Sequence, residues 1–350
     1  MGSEVYRIVQ WTTGFVGKAA IRHFASNPRF DLVGVFVTDP AKVGRDAGEL
    51  AGIADIGVTA SDDIGRMLAM PADCVFYCPS RADVDTLCQL LRSGKNVVTS
   101  AAFFYPTQYN QADFEKLEAA CREGGSSIHG GGIHPGFVAD VLPLTLARIM
   151  SRVDHVQVYE LVDFIKSGEE GLKWLPPMGF GLDQAEFEKR GNLLAQTVPH
   201  FTQSMTIIAD GLGKSIDRVT TELDLSFASQ DIPYPGGVIR TGTIAGQHHV
   251  WTAWSGAAPL VTFHAVYTVG DRHIEPAMDF GAAHYRVVID GEPPTELTLD
   301  TVPDRNGVWT NPGYVWTAMD GINMIPKVCA AAPGIVTEFE LGLIPLPGLA

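Results

Sequence analysis

Residues 6–24 constrain this chain more than any other stretch. They open as a short apolar run from Ile8 to Trp11, break at Thr12, Thr13 and Gly14, and resume at Val16, Ala19, Ala20 and Phe24 with a spacing that has changed from strand to helix period. A strand, a tight turn and a helix are expected there. Gly14 and Gly17 fall at the second and third glycine positions of the dinucleotide-binding fingerprint. The first of them lets a pyrophosphate approach the backbone, and the second lets the helix close on the strand. Thr12 stands where the leading glycine belongs. The helix start adds N–H donors and the positive end of a dipole.

Beyond residue 24 strands and helices alternate. Strands are expected at 30–37, 73–78 and 96–99 and helices at 62–70, 84–91 and 114–121, with Gly94 as a helix C-cap. Residues 127–128 then lead into a loop with Gly130, Gly131, Gly132 and Gly136 around His134 and Pro135, and a helix is expected over 137–149 with Asp140 in its first turn. This rhythm implies a doubly wound parallel sheet of the Rossmann type, whose ligands lie beyond the carboxyl ends of the strands. The cofactor lining is therefore expected from Thr12, Thr13, Gly14, Phe15, Val16, Thr38, Cys78, Pro79, Ser80, Ser100, Ala101 and Ala102.

From Val153 the texture changes. Residues 156–163, 223–227 and 261–269 alternate as strands with one wet face, and 285–289 with 297–299 read as a late pair around Asp290 and Gly291. Helices at 184–189 and 200–212 lie between them. The second part is thus expected to be an α+β domain with an open, mostly antiparallel sheet. A last helix is expected at 314–331. The expected division is 1–150 for dinucleotide binding, 151–311 for substrate binding and dimerisation, and 312–350 for a helix and tail that return to the first domain.

A formal charge of -15 argues against nucleic acid or an anionic membrane as partner, since both require clustered Lys and Arg. The cysteines, Cys74, Cys78, Cys88, Cys121 and Cys329, are odd in number, scattered and without zinc-ligand spacing, which suits thiols of a reducing compartment. No signal peptide is read at the N-terminus and no run is long enough to span a bilayer, so a cytoplasmic location is expected. Adjacent residues of a strand face opposite ways, so His248 and His249 do not form a metal pair, and no metal is assigned. At the end of the second strand Asp39 favours NAD, whereas Thr38, Lys42 and Arg45 suit a 2′-phosphate; the balance leans to NADP, with NAD as the alternative.

Together, the segments 11–17, 132–137 and 318–326 resemble the dihydrodipicolinate reductase-like group that includes 2,4-diaminopentanoate dehydrogenase and the native amine dehydrogenases. The resemblance spans nearly the whole chain. It implies a dinucleotide-binding domain, a second domain whose sheet forms a homodimer, and NAD(P)-dependent hydride transfer to a C=O or C=N carbon in the cleft between them. Two departures stand out. Nothing between 153 and 181 looks like the basic substrate segment of dihydrodipicolinate reductase proper, and residues 100–105 read Ser, Ala, Ala, Phe, Phe, Tyr where the amine-forming relatives carry a glutamate.

Hydride delivery needs a proton donor near the heteroatom. His134, where the relatives' loop has asparagine, is the first candidate, followed by Tyr105 and Glu160. Phe103, Phe104, Trp174 and Thr317 are expected at the substrate, with Phe180, Trp309, Trp316 and Asn323 as further options. The leading reading is an oxidoreductase acting on a ketone, imine or amine with mostly apolar flanks. A true amine dehydrogenase with Glu160 as its acid and a catalytically idle NADP-binding sensor are the alternatives.

Overall fold

The computed structural model describes residues 5–102, 104–191, 196–270, 272–278, 281, 284–306 and 312–342. The chain forms two compact units, Met1–Phe137 with Gly313–Ala350, and Val138–Pro312. The first therefore ends at Phe137 rather than at residue 150, and residues 138–149 pack with the second.

In chain order the first unit contains β1 (Tyr6–Trp11), α1 (Phe15–Ser26), β2 (Phe30–Phe36), α2 (Ala47–Ala51), β3 (Ala60–Ser61), α3 (Ile64–Ala69), β4 (Cys74–Tyr77), α4 (Val84–Arg92), β5 (Asn96–Thr99), α5 (Gln111–Gly124) and β6 (Ser127–Gly130). The second contains α6 (Leu142–Ala147), β7 (Arg152–Asp163), α7 (Gly168–Leu172), α8 (Leu175–Met178), α9 (Gln184–Arg190), α10 (Val198–Gly211), β8 (Arg218–Ala228), β9 (Ile232–Tyr234), β10 (Gly237–Ile239), β11 (Ile244–Ser255), β12 (Ala258–Thr268), β13 (Ile274–Glu275), β14 (Tyr285–Glu292) and β15 (Thr295–Leu299). The chain then returns to the first unit with α11 (Gly313–Ala330), β16 (Gly334–Ile335) and α12 (Glu338–Leu341).

The first sheet runs β16-β6-β5-β4-β1-β2-β3, with every pair parallel. Both faces are covered, which is why its strands read as unbroken apolar runs. Ile8, Cys74, Phe76 and Val98 pack with α1 and α11, while Val9, Val75, Tyr77 and Val97 pack with α4 and α5. Gly321 lets α11 lie on the sheet: a Cβ there would come within 2.9 Å of the Phe76 ring and 3.0 Å of the Val98 side chain.

The second sheet runs β13-β8-β11-β12-β7-β14-β15, antiparallel except between β12 and β7. Helix α10 covers one face, with Phe201 4.6 Å from the Trp251 ring. Two expectations need correction. Asp290 and Gly291 lie inside β14 rather than in a turn, because they pair with β7 and a Cβ at Gly291 would sit 2.1 Å from the Arg152 carbonyl oxygen. The helix expected over 137–149 is π-helical at Phe137–Val141 before α6 begins; Asp140 stands in its first turn, as expected, and is buried there.

Candidate active site

The order β3-β2-β1-β4-β5-β6 reverses between β1 and β4, the position at which a doubly wound sheet opens a crevice. Thr12 and Cys78 stand at that reversal, joined by a 3.1 Å hydrogen bond from Thr12 Oγ1 to the Cys78 carbonyl. Thr12 has φ +73°, the only positive value at a non-glycine residue among the described residues. Gln10, fully buried, donates its carboxamide to the carbonyl oxygens of Trp11 (3.2 Å) and Thr12 (2.9 Å) and to Cys78 Sγ (3.1 Å). Burial pushes the Cys78 thiol up to about 11, so it serves here as a neutral group.

Helix α1 begins after Gly14 with no side-chain cap and no acid in its first turn. A Cβ at Gly14 would meet nothing within 4 Å, whereas one at Gly17 would lie 2.3 Å from the Thr12 carbonyl oxygen. An uncapped helix start with an open approach is what a diphosphate requires, and the residues here fit it. Thr13 is buried and its hydroxyl accepts from Lys42 Nζ at 3.2 Å. Thr38 is exposed, and Asp39 is engaged in accepting from the Ala41 amide at 3.0 Å. Arg45 pairs with Glu49 at 2.8 Å. The structure thus brings Lys42 to the turn and engages Arg45 elsewhere.

Along the same strand ends, the Ser100 amide donates to the Tyr77 carbonyl (3.2 Å) and the Ala101 amide to Thr99 Oγ1 (3.0 Å). Phe15, Val16, Cys78, Pro79, Ser100, Ala101 and Ala102 are half-buried, and Ser80 is exposed.

The glycine loop after β6 closes tightly on itself. Phe137 N donates to the Gly132 carbonyl (2.8 Å), and Gly136, at φ +121°, lies so close to Gly132 that a Cβ would sit 2.1 Å from its oxygen. Asp320 of α11 holds this loop by accepting from the Gly132 amide at 2.8 Å. Sequence reasoning gave Asp320 no role; a lone acid in an otherwise apolar helix was the available signal. His134 is half-buried on the loop. The Phe104 ring and the Thr317 methyl lie 3.8 Å and 3.6 Å from where a Gly132 side chain would begin, so loop, Phe104 and Thr317 form one surface. His129, below the loop, donates from Nδ1 to the Val336 carbonyl (2.9 Å), and burial pushes its pKa down to about 4.

The Tyr105 ring packs edge-on to Phe339 at 6.1 Å. Phe103 and Trp309 lie outside the described residues. In the second unit Trp174 is exposed, and the Glu160 carboxylate accepts from Tyr267 Oη (2.6 Å) and Tyr285 Oη (2.9 Å). Burial, and then Glu160 itself, raises both tyrosines well above the ordinary phenol value, so they remain donors. His248 and His249 face opposite ways, toward His264 Nδ1 (3.0 Å) and Gln247 Oε1 (3.0 Å) respectively. Asp140, which the sequence did not single out as a site, accepts from Ser204 Oγ at 2.8 Å, and burial pushes its pKa up to about 7.

A Rossmann-type sheet with this turn at its switch point, in a chain whose relatives over most of its length are dehydrogenases, belongs to an NAD(P)-dependent oxidoreductase. Residues 8–125 match the dihydrodipicolinate reductase N-terminus, and residues 137–347 match the 2,4-diaminopentanoate dehydrogenase C-terminal domain. The chain is 30% identical to an amine dehydrogenase of Streptomyces virginiae over 97% of both chains. It is 25% identical to the 2,4-diaminopentanoate dehydrogenase of Acetoanaerobium sticklandii, covering 82% of this chain and 78% of that one. The solved structure of the amine dehydrogenase from Mycobacterium smegmatis superposes with a TM-score of 0.78 at 23% identity, over 97% of each chain, and shows the same fold. The chain belongs to the dihydrodipicolinate reductase-like family, with the C-terminal domain of 2,4-diaminopentanoate dehydrogenase. No helix among the described residues is long and apolar enough to cross a membrane.

Proposed function

We propose that this enzyme transfers hydride between nicotinamide C4 and a carbon bonded to nitrogen, interconverting an amine and its imine in a mostly apolar small molecule. The full-length similarity to an amine dehydrogenase carries this reading. The nicotinamide supplies or accepts the hydride; water attacks the imine carbon to give ketone and ammonium, or the reverse. The chain's own residues hold and orient. Thr12, Thr13, Gly14, Phe15 and Val16 cradle the diphosphate, with Cys78, Pro79, Ser80, Ser100, Ala101 and Ala102 along the same rim. Phe104 and Thr317 bound the substrate beside the glycine loop. His134 moves the proton at the heteroatom, and Glu160, a carboxylate fixed by two tyrosine hydroxyls, is the alternative proton acceptor.

Lys42 beside Thr13 supports NADP over NAD, because Asp39 is already engaged by its own turn. For a homodimer the proposed surface is the second sheet's face opposite α10, where Tyr159 stacks on His264 at 4.2 Å and Arg286 lies 4.4 Å above Tyr159. The free thiols of all five cysteines support a cytoplasmic setting.

A second reading is plain carbonyl reduction, favoured by the lack of a carboxylate at 100–105. Incubating cyclohexanone with NADPH, with and without ammonium, separates the two. Consumption of NADPH that requires ammonium is expected; equal turnover without it establishes the carbonyl reading instead.

A further inference from the structure

The turn after β1 departs from the usual glycine pattern in a way that needs a physical support. A β-branched residue at positive φ is disfavoured, since its Cβ crowds the following carbonyl. Thr12 nevertheless sits at φ +73°. Two contacts hold it there. Its hydroxyl reaches across the strand reversal to the Cys78 carbonyl, and its own carbonyl receives the Gln10 carboxamide. The same amide group also donates to Trp11 O and Cys78 Sγ, so three acceptors surround its nitrogen and fix which way the carboxamide faces. The opposite atom, Gln10 Oε1, is buried with no hydrogen-bond partner among the described residues. Leaving a buried acceptor unmet is unfavourable, a penalty that marks Gln10 as more than core filling.

The held carbonyl has a direct consequence. Thr12 O is the atom that a side chain at position 17 would strike, so its direction sets how closely α1 approaches β1 and where the first N–H groups of the helix point. We propose that Gln10, Thr12 and Cys78 form a clamp that replaces the missing first glycine of the fingerprint, with Gln10 as a positioning residue for the coenzyme diphosphate. The clamp acts on the part of the ligand that NAD and NADP share. It rests on the reading that residues 12–17 cradle that diphosphate.

The test is a double-substitution cycle read by calorimetric binding of NADH and NADPH. Gln10→Met keeps the volume and removes the carboxamide; it is expected to weaken both coenzymes by the same factor, on the order of ten- to a hundredfold. Adding Thr12→Gly, which needs no support to hold a positive φ, is expected to restore most of that loss. Unchanged affinity in Gln10→Met, or a loss that Thr12→Gly does not recover, overturns the clamp, since mere core packing at Gln10 would be blind to residue 12. If Gln10→Met does not fold, Thr12→Val decides: it keeps the shape, removes the hydroxyl, and is expected to weaken both coenzymes about tenfold, whereas wild-type affinity refutes the proposal. Gly14→Glu is titrated in parallel. Retained binding in that variant shows that the diphosphate lies elsewhere, a failure of the site rather than of the clamp.

Discussion

Replacing Gly17 by alanine tests the geometry of the turn most sharply. The added Cβ would lie 2.3 Å from the Thr12 carbonyl oxygen, where ordinary contact begins at 3.4 Å, so helix or turn must move by about 1 Å. The oxygen is poorly placed to yield, because the Gln10 amide holds it at 2.9 Å and the Thr12 amide is bonded to the Phe36 carbonyl at 2.9 Å. Overpacking of this kind costs about 1–3 kcal/mol, and the helix-propensity gain of alanine offsets up to about 1 kcal/mol of it. A net loss of about 1–2 kcal/mol in urea unfolding is expected. The same shift displaces the N–H donors, so NADPH affinity in calorimetry should fall about tenfold or more. Gly14→Ala is the steric control: its backbone is extended and nothing lies within 4 Å, so its unfolding free energy should change by no more than about 0.5 kcal/mol. Equal stability and affinity in Gly17→Ala, or a destabilised Gly14→Ala, refutes this reasoning.

Three further outcomes are expected. Lys42→Ala should weaken NADPH by about ten- to a hundredfold while leaving NADH nearly unaffected, as a lost charge-assisted contact would; equal effects on both in calorimetry would count against a 2′-phosphate role. His134→Ala should lower turnover far more than coenzyme affinity, and unchanged turnover in stopped-flow assays would remove it from the mechanism. Asp140, with its folded pKa raised to about 7, keeps a proton that the unfolded chain releases near pH 4. Its effect is therefore a stability that declines as pH rises from about 4 to about 7 and stays reduced above, by on the order of 4 kcal/mol. Asp140→Asn should flatten that decline in pH-dependent unfolding, and an identical profile in the variant would contradict the assignment.

The first unit was largely legible because its sheet is buried on both faces, so β1, β2, β4 and β5 stand out as apolar runs punctuated by turns. The second was less so. Central strand β11 carries Gly246 and places buried Gln247 and His249 on its inward face, which breaks the alternation that a strand reading needs. The glycine loop was visible by composition, but its anchor was not, since Asp320 lies 188 residues further along and reaches Gly132 only once α11 is seated on the sheet. Likewise, no spacing rule relates Glu160 to Tyr267 and Tyr285; the parallel pairing of β7 with β12 and its antiparallel pairing with β14 bring them together. At Thr12 the sequence showed a missing glycine, and only the backbone showed that its conformation had been kept.

Transfer of deuterium to product from NADPH labelled at C4 on its reactive face is the decisive measurement. With cyclohexanone and ammonium, mass spectrometry should find one deuterium on the carbon bearing the new nitrogen, and Gly14→Glu should yield none. Unlabelled amine, or equal labelling by the variant, would show that hydride does not pass from a coenzyme held at this turn.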